Sequence, residues 1–182
     1  GHAVQESGVT ALRVLVIDDE PPARARLREL LQDCRFEAPN VVVGEAENGL
    51  AGLDFLATTP ADAALVDIHM PGMSGIEFAR HVQLLEAPPA VIFVTAHDQY
   101  AVDAFEVNAI DYLLKPVRAS RIAAALMKVA AGVRVTRETL ARVDPHPRRY
   151  LSASERGRVT LVPVGDVLYL KAELKYVTVR TR

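Results

Sequence analysis

The 182-residue chain is half hydrophobic and 24% charged, which suffices for one good core and the start of a second. No apolar run nears the ~18 residues of a membrane span, no signal peptide is visible, and the single cysteine, Cys34, excludes an internal disulfide or a thiolate metal site, so a cytoplasmic protein is expected. The net charge of −2 conceals a divide: residues 1–147 carry 13 Lys and Arg against 20 Asp and Glu, and residues 148–182 carry 8 against 3, a basic segment that favours polyanions unless its charges are merely solvated.

Gly1-His2-Ala3 reads as a cloning remnant, and residues 1–9 are set outside the fold. Leu12-Arg13-Val14-Leu15-Val16-Ile17 is a nearly continuous apolar run, the pattern of a strand covered on both faces in a parallel sheet, and it ends in Asp18-Asp19-Glu20. Pro21-Pro22 opens a helix with Ala23, Leu27, Leu30 and Leu31 apolar and Arg24, Arg26, Arg28 and Glu29 polar. Val41 to Gly44 reads as strand two, Leu50 to Leu56 as helix two and Ala63 to Asp67 as strand three. There the chain turns at Pro71-Gly72 before Ser74 caps helix three, predicted from Ser74 to Leu84 with Ile76, Phe78, Ala79 and Val82 buried.

Ala90 to Val94 is strand four, stopping at Thr95, and Asp98 to Phe105 a short helix. Ile110 to Leu114 is strand five, stopping at Lys115-Pro116, and Arg118 to Val129 is the closing amphipathic helix. Strands alternating with helices predict a three-layer α/β domain over residues 10–131, with a five-stranded parallel sheet and right-handed crossovers. From Gly132 to Arg149 the apolar period fades and Asp144-Pro145-His146-Pro147 breaks any helix, so residues 132–149 are expected as a linker. Beyond it, Arg158 to Val162, Val167 to Leu170 and Tyr176 to Val179 are short β-type runs, separated by Pro163 to Asp166 and by Ala172 to Lys175, the opening of an all-β unit over 150–182.

In a parallel sheet all strand carboxyl ends lie on one edge, where ligands bind. Asp18, Asp19, Asp67, Thr95 and Lys115 all fall at such ends. Taken singly each has an ordinary explanation: Asp18 and Asp19 as caps of the first helix, Asp67 as a satisfied turn residue, Thr95 as a strand-end residue. Together, two or three carboxylates within ~4 Å repel by several kcal/mol at an effective dielectric of ~20, so a cation must answer them. Lys115 supplies one, and the all-oxygen remainder suits a hard divalent ion such as Mg²⁺ rather than zinc. A carboxylate, a hard metal, a hydroxyl and a lysine describe phosphoryl transfer to Asp67 as nucleophile, with Thr95 placed to hydrogen-bond the product.

Asp18-Asp19, Asp67 with Met70-Pro71-Gly72, Thr95-Ala96 and Lys115-Pro116 resemble the signature of two-component receiver domains, from Leu12 to about Ala131. The resemblance implies a flavodoxin-like sheet of strand order 2-1-3-4-5. It makes Asp67 the phosphoacceptor and Asp18 and Asp19 the metal-binding pair, with Asp19 the direct ligand and the backbone carbonyl of His69 completing the Mg²⁺ contacts. Lys115 becomes the phosphate-contacting lysine, with a cis bond to Pro116, and Thr95 with Tyr112 the switch pair. His69 and His97 stand two places after Asp67 and Thr95, positions that flank the path of water to an acyl phosphate in receivers, and are expected to tune its lifetime. Tyr100 and Phe105 read as packing residues, and His81 and His146 as surface residues without a role.

Val164-Gly165-Asp166-Val167-Leu168-Tyr169-Leu170 and Lys175-Tyr176-Val177-Thr178-Val179 resemble the opening of LytTR-type DNA-binding domains of the AlgR/LytR branch, with the domain incomplete at Arg182. What the resemblance implies is a response regulator, phosphorylated on Asp67 by a sensor histidine kinase and controlling transcription through promoter DNA. Lys171, Lys175 and Tyr176 are then the candidate DNA contacts. A homodimer is expected through the face of the fourth helix, fifth strand and fifth helix, where Asp103 and Glu106 could pair with Arg118 and Arg121. The alternative is a phosphorelay or phosphate-sink receiver without DNA output. An Asp-nucleophile phosphatase resembling haloacid dehalogenases needs a second Asp two places after the first, where this chain has His69, so no enzyme beyond an autodephosphorylating phosphoacceptor is expected. P-loop and dinucleotide readings fail because no Gly-rich loop follows strand one.

Overall fold

A computed structural model of the chain describes residues 10–141 and four strands between residues 150 and 181, with side chains over residues 10–133. Five apolar runs form strands β1 (Leu12–Ile17), β2 (Asn40–Ala46), β3 (Ala63–Val66), β4 (Ala90–Thr95) and β5 (Asp111–Leu114). They alternate with helices α1 (Pro21–Asp33), α2 (Gly49–Thr58), α3 (Gly75–Val82), α4 (Ala101–Glu106) and α5 (Ala119–Ala141). The sheet order is β2-β1-β3-β4-β5 and every pairing is parallel, the flavodoxin-like arrangement expected. Strand addition reverses direction at β1, so the switch point lies between the carboxyl ends of β1 and β3.

The unbroken apolar runs follow from burial on both faces of the sheet. Val14 and Val16 of β1 pack with Leu27, Leu31, Ile122 and Leu126 on one side, while Leu15 and Ile17 pack with Ile76, Phe78 and Phe93 on the other. Each such side chain contributes roughly 1.5–3 kcal/mol on leaving water, and this fixes the two β-strand ends that matter for chemistry. After β3, Gly72 adopts the left-handed backbone that its lack of a Cβ permits (φ +77°). Ser74 Oγ then accepts the Glu77 N–H at 3.2 Å to start α3.

Most elements match the sequence reading to within a few residues at their ends, and the larger differences have local causes. Helix α4 begins at Ala101 rather than Asp98, because the His97 carbonyl that could close an earlier turn accepts the Tyr112 hydroxyl instead. Helix α5 runs on to Ala141, so the stretch expected as a linker from Gly132 begins as helix. Gly132 costs only ~1 kcal/mol there, and no proline follows before Pro145. An unexpected strand β6 (Tyr150–Glu155) pairs antiparallel with β7 (Arg158–Pro163), which completes a pattern too weak to read in Ser152-Ala153-Ser154 alone.

Residues Arg134–Arg182 form a unit separate from Gly1–Val133. In it β8 (Val167–Glu173) pairs antiparallel with β9 (Tyr176–Thr181), so Ala172 and Glu173, expected in a loop, belong to a strand. No described helix is long and apolar enough to cross a membrane.

Candidate functional site

β1 and β3 lie side by side, with Ile17 opposite Val66. The residues that follow, Asp18 and Asp67, are therefore delivered to adjacent points on the sheet edge, and the Asp67 N–H donates to the Ile17 carbonyl at 3.0 Å. Carboxylate oxygens of Asp18, Asp19 and Asp67 all come within 4.8 Å of one another. β4 and β5 bring the next two groups. The Lys115 N–H donates to the Thr95 carbonyl at 2.8 Å, and the Lys115-Pro116 bond is cis, as expected.

Lys115 Nζ donates to Asp18 Oδ2 at 2.9 Å and to Asp67 Oδ2 at 3.3 Å. Asp18 is wholly buried, and a buried carboxylate needs partners on both oxygens. Its Oδ1 accepts the Glu20 N–H at 3.0 Å. That oxygen closes a turn ahead of α1, whose N-cap is Glu20 with no side-chain capping bond, so Asp18 does not cap the helix as the ordinary reading had it, and its other oxygen faces the ammonium. Asp67 Oδ1 accepts the Ile68 N–H at 2.7 Å. Burial alone would lower the Lys115 pKa, but its hydrogen bond to Asp18 and the charges of Asp67 and Asp18 outweigh it and raise the pKa above its ordinary value.

Three carboxylates against one ammonium leave the cluster short of positive charge, and the donors are all oxygen. That combination fits a hard divalent cation and not a soft one. Asp19, half-buried, has no side-chain hydrogen bond among the described residues and is the most available of the three.

Thr95 is fully buried at the end of β4, and its Oγ1 accepts the His97 N–H at 3.3 Å. The Tyr112 hydroxyl donates to the His97 carbonyl, so both expected switch residues hold the same loop. Burial is the main reason the Tyr112 pKa is raised. His69 and His97 converge with ring centroids 4.1 Å apart. Tyr100, read from the sequence as a packing residue, stands edge-on to both rings, at 5.1 Å from His69 and 6.3 Å from His97. Phe105, also read as a packing residue, is exposed on α4, as His81 is on α3.

The sequence reading missed one contributor. Arg24, assigned only to the polar face of α1, folds back so that Nη1 donates to the Asp18 carbonyl at 2.7 Å. A long cation one turn after the acidic pair was the available signal. Of the residues expected to pair across a dimer face, Arg121 meets Asp111 of its own chain at 3.5 Å, alongside Lys128 at 2.8 Å. Of the DNA-contact candidates, Lys171 stands in β8 opposite Thr178 and Tyr176 opens β9 opposite Glu173, while Lys175, like His146, lies outside the described residues.

Residues 14–127 match the response regulator receiver domain family. The chain is 40% identical over 173 residues to the positive alginate biosynthesis regulatory protein of Pseudomonas aeruginosa, covering 93% of this chain and 69% of that protein. It is 46% identical over 121 residues to the transcriptional regulatory protein LytR of Staphylococcus aureus, covering 66% of this chain and about half (48%) of that protein. Among solved structures, it resembles the response regulatory domain of mrkE from Klebsiella pneumoniae (32% identity, TM-score 0.61, 68% of this chain and 99% of that one). It also resembles the receiver domain of the putative response regulator NarL from Mycobacterium tuberculosis (35% identity, TM-score 0.61, 67% and 98%).

Proposed function

The chain belongs to the response regulator receiver family, and on that footing we propose that Asp67 is its phosphoacceptor, charged by a sensor histidine kinase in the cytoplasm. The observation that carries this reading is the bridge from Lys115 Nζ to Asp18 Oδ2 and Asp67 Oδ2, with Asp19 beside it. In the transfer, an Asp67 carboxylate oxygen forms the new O–P bond as the P–N bond of the donor phosphohistidine breaks. Lys115 presents its charge to the phosphoryl oxygens, and the Thr95 hydroxyl hydrogen-bonds the product. Asp18, Asp19 and Asp67, with the backbone carbonyl of His69, would hold Mg²⁺, which supplies charge neutralisation to the transferring group.

Phosphorylation then draws Thr95 toward the phosphoryl group. Tyr112, tied to the same loop through the His97 carbonyl, moves with it. The chain acts stoichiometrically, with autodephosphorylation as its only turnover. Its output is transcriptional, through promoter DNA met by the basic β-type segment, with Lys171, Lys175 and Tyr176 as the contacts. That segment and the two named regulators that the chain resembles support DNA output over a phosphate sink.

A homodimer through α4, β5 and α5 aligns two such segments. Val102, Phe105 and Leu114 are exposed large apolar residues on these elements. Arg118, Asp103 and Glu106 supply charges for the rim, each contributing little alone.

The test is incubation with acetyl phosphate and Mg²⁺, followed by intact mass. The wild type gains one phosphoryl group and Asp67→Asn gains none. Equal modification of both proteins, or catalytic turnover of a phosphate ester, overturns the proposal.

A further inference from the structure

Asp18 is held through both of its backbone polar groups. Its N–H donates to the Ala46 carbonyl at the end of β2 at 3.1 Å, and its carbonyl accepts Arg24 Nη1 at 2.7 Å. Arg24 sits in the first turn of α1, where its own N–H donates to Glu20. Its side chain therefore doubles back over the loop that carries the acidic pair. Only about a fifth of that side chain is exposed.

The guanidinium does not face the carboxylates alone. Glu45 of β2 meets Arg24 Nε at 3.6 Å through Oε1 and Arg28 Nη1 at 2.6 Å through Oε2. One carboxylate thus anchors two arginines of α1 to β2. Asp19 has no side-chain partner among the described residues, so nothing but the loop backbone decides where its carboxylate points. The residue that fixes that backbone fixes Asp19.

We infer that Arg24 is a positioning residue for the divalent-cation site: it clamps the Asp18 carbonyl so that the Asp18-Asp19 pair is preset, and Glu45 holds the guanidinium at that carbonyl and away from the acidic cluster. The inference rests on the proposed reading of Asp18, Asp19 and Asp67 as a cation site. Without Arg24 the loop must be ordered by the ion itself, which weakens binding. Without Glu45 the guanidinium is released beside three carboxylates and competes as an internal cation. Glu45 therefore acts through Arg24, and its effect disappears when Arg24 is absent.

Mg²⁺ titration of the whole chain by calorimetry tests this, using wild type, Arg24→Gln, Arg24→Lys, Glu45→Gln and the Arg24→Gln, Glu45→Gln double variant. Arg24→Gln weakens Mg²⁺ binding by about tenfold, the scale of supporting-residue losses at metal sites. Arg24→Lys, which keeps the charge but loses the guanidinium's fork, recovers only part of this. Glu45→Gln weakens binding in the wild-type background and adds nothing to Arg24→Gln, the coupling that independent structural damage lacks.

The rate of phosphorylation by acetyl phosphate gives a second readout: Arg24→Gln raises the Mg²⁺ concentration for half-maximal rate and leaves the plateau unchanged. Melting curves identify any variant that fails to fold, and Arg24→Lys then carries the test. Wild-type affinity in both arginine variants, with Asp19→Asn still losing Mg²⁺, overturns the role of Arg24 and leaves the cation site standing. Unaltered Mg²⁺ binding in Asp19→Asn and Asp67→Asn removes the cation site, and this inference with it.

Discussion

Lys115 Nζ lies 2.9 Å from Asp18 Oδ2, although 97 positions separate the two residues. The same nitrogen reaches Asp67 Oδ2 at 3.3 Å, so one ammonium holds together two carboxylates that would otherwise repel. The pair is inside the fold on the aspartate side, with 1% of the Asp18 side chain exposed, and at the surface on the lysine side, with 26%. Removing the lysine therefore strands a buried charge.

Lys115→Met is expected to lower stability in EDTA by about 1–3 kcal/mol, less than the ~3–5 kcal/mol of a fully buried broken pair because solvent screens the lysine end. Added Mg²⁺ recovers most of the loss by supplying positive charge to the same carboxylates. Phosphorylation by acetyl phosphate falls sharply even at saturating Mg²⁺, since the charge aimed at the phosphoryl oxygens is gone. Urea unfolding with and without Mg²⁺ measures the first effect, and intact mass measures the second. Equal destabilisation in EDTA and in Mg²⁺ would count against the shared-charge account.

The raised pKa of Lys115 sets a pH signature. A lysine whose folded pKa exceeds its unfolded value of ~10.4 stabilises the fold fully below that value, and the contribution is lost as pH climbs through the folded pKa. The stability gap between wild type and Lys115→Met should therefore stay constant between about pH 7 and pH 9 and shrink in more alkaline solution. A gap that closes on acidification within that range would contradict the assignment.

Gly75 lies against the backbone of Asp67, and its N–H donates to the Ile68 carbonyl at 2.9 Å. A Cβ there would collide with the Asp67 carbonyl oxygen and come within 2.9 Å of Ile68 Cα. Backbone cannot swing aside as a flexible side chain can. Gly75→Ala is expected to destabilise by about 1–3 kcal/mol, the cost of overpacking, and to slow phosphorylation by displacing Asp67. Thermal melts and the acetyl phosphate reaction check both, and wild-type behaviour in both would show that the loop yields.

The carboxyl ends of β1, β3, β4 and β5 were legible because a residue at the end of an apolar run in a parallel sheet has only one edge to go to. Asp18, Asp67, Thr95 and Lys115 could be assembled from spacing alone on that ground. Arg24 escaped because a six-bond side chain that folds back to a carbonyl leaves no periodic trace. The early end assigned to α5 had a different cause: fading apolar periodicity does not by itself end a helix, and residues 134–141 contain no proline or glycine to break one. Tyr100 packs against the core, as expected, but its spacing to Phe105 gave no sign that its ring also meets His69 and His97.

Cys34 is buried with its Sγ 3.5 Å from the Leu31 carbonyl, and burial is the leading cause of its raised thiol pKa. The thiolate is the reactive form, so two barriers, access and ionisation, protect it in the native protein. Alkylation by iodoacetamide near pH 8 should be slow in buffer and accelerate with urea in step with the loss of far-ultraviolet circular dichroism. Rapid native labelling would mean that the α1–β2 end opens independently of the core.

His69 and His97 pack at 4.1 Å between ring centroids, with Tyr100 edge-on to both, and each histidine stands two residues beyond a strand-end group of the proposed site. His69 is exposed and His97 half-buried, and the paired rings are expected to screen the residues that would carry the acyl phosphate. Hydrolysis requires water to reach phosphorus in line with the departing Asp67 oxygen, and excluding water is a recognised way to preserve a reactive intermediate. The His69→Asn, His97→Ala double variant is therefore expected to shorten the phosphoryl lifetime several-fold, while Tyr100→Phe, which keeps the ring, leaves it nearly unchanged. Loss of the phosphoryl group followed by mass after removal of acetyl phosphate gives the rate directly. An identical decay in the double variant and the wild type would retire the shielding role and leave the two imidazoles as surface packing.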